Sequence, residues 1–154
     1  MSRQPRNLRL FVADDLPALA DLWVAAWRET GLPIDFEERR PWVEARLSGI
    51  AADRGAIIVG LGPDGPPAGF VTIDLKSGYL DQLCVAPAER GSGLARALLN
   101  EAKRLSPSLI ELDVNEANPR ALSFYKRERF KVAARGVSET SGLPTLRMRW
   151  RASR

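Results

Sequence analysis

Residues 79–99 read YLDQLCVAPAERGSGLARALL: a stretch with the character of a buried strand, a short loop carrying Gly91 and Gly93, then an apolar pattern at helical spacing. Strand, glycine loop and helix in that order make a cradle for an anion. The amide N–H groups of a helix's first turn have no partner inside the helix and lie at the positive end of its dipole, so a phosphate can approach where no side chain intervenes. Gly91 and Gly93 remove the side chains at that point.

Toward the N-terminus, residues 8–12 read as a first strand. Asp14 or Asp15 is placed to cap a helix with Pro17 in its first turn and Leu19, Leu22, Trp23, Ala26 and Trp27 at helical spacing, and Gly31 stops it. Pro41 suits the start of a second helix with Val43, Leu47 and Ile50 on its apolar face, which Gly49 and Ala51 loosen. Residues 56–59 and 68–75 read as a hairpin about the turn sequence GLGPDGPP.

Toward the C-terminus, residues 79–85 read as a fourth strand and residues 94–105 as a helix. Ile110, Leu112 and Val114 alternate with Glu111, Asp113 and Asn115 in a fifth strand. A strand–helix–strand crossover makes that strand parallel to its partner. Asn118 followed by Pro119 is a cap with a first-turn proline, opening a helix that carries Ala121, Leu122, Phe124 and Tyr125. Residues 130–134 and 146–150 complete the sheet. The fold expected is one α/β (α+β) domain over residues 1–154: a central mixed, mainly antiparallel sheet of about seven strands, about four flanking helices and one parallel pair.

Composition narrows the chemistry. The 154 residues are 45% hydrophobic, enough for one domain with a full core and too few for two ordinary ones. The single cysteine, Cys84, excludes an internal disulfide and a cysteine-rich metal site, and the absence of histidine removes the commonest metal ligand and general base. Serine–histidine triads and histidine-based metal catalysis are excluded, and no metal is expected. The N-terminal MSRQPRNL precedes no apolar run and no stretch reaches membrane-spanning length, so a cytoplasmic protein without membrane contact is expected. The net charge of +4, from 23 Lys and Arg against 19 Asp and Glu, is modest and spread out, unlike a dedicated nucleic-acid binder.

This order of elements, with VAPAERGSGLARALL and LDVNEANPRALSFYKRERF, resembles the GNAT superfamily of N-acetyltransferases over nearly the whole chain. The family's core signature, Gln or Arg, two residues, Gly, one residue, then Gly or Ala, is met by Arg90, Gly93 and Ala95. It gains specificity from the strand before it, the helix beginning on it, and the asparagine-initiated helix one strand later. The resemblance implies direct transfer from acetyl-CoA as co-substrate to a primary amine as acceptor, with a small molecule, an amino acid and a protein N-terminus all open, and homodimers are common in the family. It places the CoA pyrophosphate on residues Arg90 to Arg96, with Gly91, Ser92, Gly93, Leu94 and Ala95 supplying N–H groups. The pantetheine arm would lie beside Leu83, Cys84 and Val85, where the fourth strand splays from the fifth, with the Val85 N–H on the thioester oxygen. Asn118 would touch the arm and Tyr125 would sit near the sulfur. Trp23, Trp27 and Phe36 fall in the region that walls the acceptor pocket, and core packing explains the tryptophans equally well.

Those residue types suit the reaction. An amine attacking a thioester develops oxyanion charge that backbone donors stabilise, and it expels a thiolate that a phenol can protonate, which makes Tyr125 the candidate general acid. An alkylammonium with a pKa of about 10 must lose a proton before attack. Asp81, on the strand face shared by Tyr79, Leu83 and Val85, is the candidate base, with Glu29 and Asp74 as alternatives. Arg129 departs from the family, which often has glycine before the phenylalanine opening the sixth strand. A side chain there would strain a left-handed helix cap by roughly 1–2 kcal/mol, so a turn of different construction is expected.

Two other readings compete. Gly91 and Gly93 with Asp113 imitate a dinucleotide fingerprint, but Arg96 takes the place of its third glycine and residues 86–90 separate strand from glycines. A non-catalytic module binding acyl-CoA or nucleic acid through the arginines is the second. The acceptor is expected against the first two helices and the loop 136–145.

Overall fold

The computed structural model describes residues 7–153. The N-terminal residues read above as lacking a leader lie almost wholly outside them. Strands β1 (Leu8–Leu10), β2 (Gly55–Leu61), β3 (Pro67–Asp74) and β4 (Leu83–Val85) form one antiparallel sheet in that order. Strands β5 (Leu109–Asn115), β6 (Lys131–Val137) and β7 (Pro144–Arg151) form a second, ordered β5-β7-β6. Helices α1 (Leu16–Arg28) and α2 (Arg40–Ala52) precede β2, α3 (Leu94–Leu105) joins β4 to β5, and α4 (Pro119–Arg127) joins β5 to β6.

The expected elements are all present, with corrected boundaries. Between residues 79 and 85 only Leu83–Val85 is regular strand, the preceding residues keeping irregular bonds to β3 from Thr72 N–H to Gln82 O (2.8 Å) and from Asp74 N–H to Tyr79 O (2.9 Å). The expected parallel pairing with β5 is a single bridge, Tyr79 to Glu111, in which Leu80 N–H donates to Glu111 O (2.8 Å) and Glu111 N–H to Gly78 O (3.0 Å). Beyond it the strands diverge, so the one sheet expected is two, joined at a seam. Helix α2 runs through Gly49 to Ala52, its apolar contacts at Val43 and Leu47 outweighing the glycine. Asp15 does not cap α1. Its carboxylate turns back to accept the Val12 N–H (2.9 Å) and both terminal nitrogens of Arg9 (2.8 Å each).

Period-two alternation along β2 and β3 sorts two cores. Ile57, Val59 and Phe70 face α1 and α2, meeting Leu19, Trp23, Val24, Val43 and Leu47. Ile58, Val71 and Ile73 face α3, with Leu98, Leu99, Ile110, Leu112, Tyr125 and Met148. Glycine is required at Gly78 (φ +77°), where an added Cβ would lie 2.4 Å from Leu109 O at the seam between the sheets.

Arg129 overturns its expectation. It keeps the left-handed conformation (φ 74°), the only non-glycine residue among those described to do so. Phe130 N–H donates to Tyr125 O (2.9 Å) and Arg129 N–H to Lys126 O (3.1 Å), the paired bonds of a Schellman ending for α4. The accompanying apolar contact is the Tyr125–Phe130 ring pair, 5.3 Å between centroids, and Lys103 Nζ donates to Glu128 O (3.1 Å). Together these outweigh a strain of about 1 kcal/mol.

Candidate active site

The divergence of β4 from β5 opens a cleft of about 930 Å³. On the β3 side, Thr72 N–H donates to Gln82 O (2.8 Å) and Ala86 N–H to Ala68 O (2.7 Å). By the alternation of an antiparallel ladder, the N–H and C=O groups of Leu83 and Val85 therefore point away from β3, along the free edge. Both residues line the cleft. Cys84 does not: it is paired through its backbone with Phe70, and its side chain lies beneath α1, the thiol donating to Leu22 O (3.5 Å). Burial pushes that thiol up to about 12, which leaves it an inert apolar filler.

At one end the loop before α3 forms the cradle. Gly91 (φ +79°) and Gly93 (φ +91°, ψ 0°) are both left-handed, and Gly93 is the N-cap of α3. Open space surrounds the place of a Cβ at Gly91. Two of the five expected donors are already engaged, since Ser92 N–H bonds Glu89 O (3.1 Å) and Leu94 N–H bonds Ser92 Oγ (3.2 Å). Neither residue lines the cleft, and Leu94 is core. The N–H groups of Gly91, Gly93, Ala95 and Arg96 have no partner among the described residues, and these four residues line the cleft beside Arg90. The loop thus presents unpaired amides to the cleft from a smaller set of residues than the sequence predicts.

Tyr125 and Asn118 line the facing wall. Tyr125 is buried through α4's apolar face, and its hydroxyl has no hydrogen bond among the described residues. Desolvation holds this phenol well above its ordinary 10.0, so it carries its proton at neutral pH. Asn118 Oδ1 accepts the Ala121 N–H (3.3 Å), the expected cap. Asn115, not singled out from sequence, lines the cleft, and its Oδ1 is buried without a hydrogen-bond partner among the described residues. Its alternation with Leu112 and Val114 marked only a strand.

Asp81 also lines the cleft, with neighbours that sequence could not show. Arg46 of α2 forks onto it (Nη2–Oδ1 2.6 Å, Nε–Oδ2 3.0 Å), and Gln82 Nε2 donates to Oδ2 (3.2 Å) while Trp23 Nε1 donates to Gln82 Oε1 (3.1 Å). Asp113 is held by Arg147 (2.8 and 3.0 Å) and by the Tyr79 hydroxyl (2.8 Å), and those hydrogen bonds keep its carboxyl low against the opposing effect of burial. Asp74 accepts the N–H groups of Lys76 and Ser77 and does not line this cleft. Trp27 reaches the cleft while Trp23 and Phe36 pack beside it, ring centroids 5.5–6.2 Å apart, in the α1–α2 core.

Splayed strands, unpaired amides at a helix start and a protonated phenol on the wall share one cleft between the two sheets. The chain belongs to the acetyltransferase (GNAT) family, whose model matches residues 16–129. It is 37% identical over 78 residues to peptidyl-lysine N-acetyltransferase YjaB of Escherichia coli (strain K12), 51% of this chain and 51% of that protein. The match therefore spans about half the length of this curated relative. The solution structure of apo-form YjaB from Escherichia coli superposes with a TM-score of 0.75 at 25% identity, over 97% of this chain and 100% of that one. The PaiA N-acetyltransferase of Thermoplasma acidophilum, solved in complex with coenzyme A, shares the fold with a TM-score of 0.79 at 19% identity, over 96% and 99% of the two chains. No helix among the described residues is long and apolar enough to cross a membrane.

Proposed function

We propose that this protein transfers the acetyl group of acetyl-CoA directly to a primary amine, the side-chain amine of lysine in a peptide or protein being the acceptor class that its relatives' names favour. The observation that carries the reading is the cleft itself, where free backbone edge, unpaired cradle amides and a protonated phenol share one cavity. The cradle would hold the pyrophosphate, the edge of Leu83 and Val85 would pair with the pantetheine arm, and Asn118 would touch that arm.

The deprotonated amine attacks the thioester carbonyl, a C–N bond forms, and the C–S bond breaks. The Val85 N–H supports the developing oxyanion, and the Tyr125 phenol gives its proton to the departing thiolate. Asp81 takes the proton that the ammonium sheds before attack, and the phenolate left at Tyr125 recovers the second proton that nitrogen loses as the intermediate collapses. The Asp81 oxygens are held by Arg46 and Gln82 in the free protein, so its role requires the acceptor ammonium to displace a guanidinium. Free-thiol release from acetyl-CoA across a panel of amines and lysine peptides tests the reading. Thiol release that depends on a lysine peptide supports it. Tight acetyl-CoA binding with no turnover on any amine would move the protein to a non-catalytic acyl-CoA-binding role.

A further inference from the structure

Glu29 is the C-cap residue of α1, where the negative end of the helix dipole disfavours a carboxylate. Its position is explained by what lies across the cleft. Its carboxylate ion-pairs with Arg90 of the cradle loop and lies 4.0 Å from Arg120 Nη1 in the first turn of α4. Three separate elements meet on one acid, and all three side chains line the cleft. Arg90 stands at the signature position of the phosphate loop, so an arriving phosphate finds that charge already neutralised.

We propose that Glu29 is a displaceable counter-ion that sets coenzyme affinity through Arg90 and Arg120, an inference that rests on the cleft being an acyl-CoA site. In the free protein one carboxylate holds the two arginines across the cleft. The phosphates of CoA replace it on both, and Glu29 is released on the α1 wall, still lining the cleft. An exposed ion pair contributes little in water, whereas a diphosphate offers more charge and more acceptor oxygens, so the exchange runs toward the ligand. Glu29 is a positioning residue: it acts on the ligand by occupying the arginines that bind it.

Glu89 provides the control, since it also lines the cleft near the cradle but has no ion-pair partner among the described residues. Calorimetric titration with CoA at low salt compares the wild type with Glu29→Gln, Glu29→Ala, Glu89→Gln, the Arg90→Ala/Arg120→Ala pair, and that pair combined with Glu29→Gln. Both Glu29 variants are expected to bind CoA about threefold to fivefold tighter, a larger gain than Glu89→Gln gives, and the gain should vanish once both arginines are gone. Unchanged or weaker binding by the Glu29 variants overturns the proposal. So does a gain matched by Glu89→Gln or persisting without the arginines, because either would make it an effect of net charge alone. Failure of the wild type to bind CoA would remove the acyl-CoA reading as well, whereas normal CoA binding with no gain removes the counter-ion alone.

Discussion

Two side chains carry most of what can be tested residue by residue. Tyr125 combines a buried ring, a phenol held protonated by desolvation and a hydroxyl with no hydrogen bond among the described residues. Tyr125→Phe removes a proton donor and little volume, so CoA affinity by calorimetry should be retained while kcat falls by roughly 10²-fold or more. Weaker CoA binding at normal kcat would assign the phenol to binding. Asp15 is a stability residue: 6% exposed, it is bound by Arg9 and by the Val12 N–H, which hold its carboxyl below the ordinary 3.8. A depressed folded-state value means stabilisation that is present above the ordinary aspartate range and lost as pH falls through the folded value. Asp15→Asn should therefore cost about 1–2 kcal/mol at pH 7, the low end because Arg9 is part-exposed, and the deficit in urea unfolding should shrink below about pH 4.

At the scale of the element, the ending of α4 links sequence, strain and site. The Schellman bonds and the Tyr125–Phe130 contact fix where α4 stops and so where Tyr125 sits, while Arg129 bears a backbone angle suited to glycine. Arg129→Gly relieves the strain without disturbing either bond. It should raise stability by about 1 kcal/mol, seen as a higher urea midpoint at unchanged slope. A lower midpoint would mean that the exposed arginine side chain contributes more than the strain costs. The short β4 shows an element defined by what it lacks. Its three residues pair with β3 on one side and leave Leu83 and Val85 with open backbone groups on the other. In most sheets such an edge invites aggregation, and here it lies inside a cleft between two sheets.

For the whole molecule, the two sheets meet at one bridge, and Gly78 is the tightest point of that seam. Gly78→Ala combines a left-handed angle with a Cβ placed 2.4 Å from Leu109 O, and no flexible side chain can yield to relieve it. A loss of roughly 2–4 kcal/mol in thermal or urea unfolding is expected, with part of the cleft's ligand affinity lost if the sheets shift. A stability change under 1 kcal/mol would mean that the seam repacks freely. Periodicity, glycines and caps made the elements legible in the chain, because an amphipathic helix or an alternating strand is written in neighbours a few residues apart. The glycine loop and helix start were legible for the same reason, since Arg90 to Arg96 are contiguous, but which of their N–H groups stay unpaired depends on the turn the loop takes. What folding alone decided were the pairings across distance. Arg46 on Asp81, Glu29 on Arg90, the orphaned Asn115 oxygen, and the division of an expected single sheet into two all depend on how α1, α2 and the second sheet pack. No local pattern encodes which charged side chain will face which, since exposed ion pairs add little energy and leave no periodic trace in the sequence.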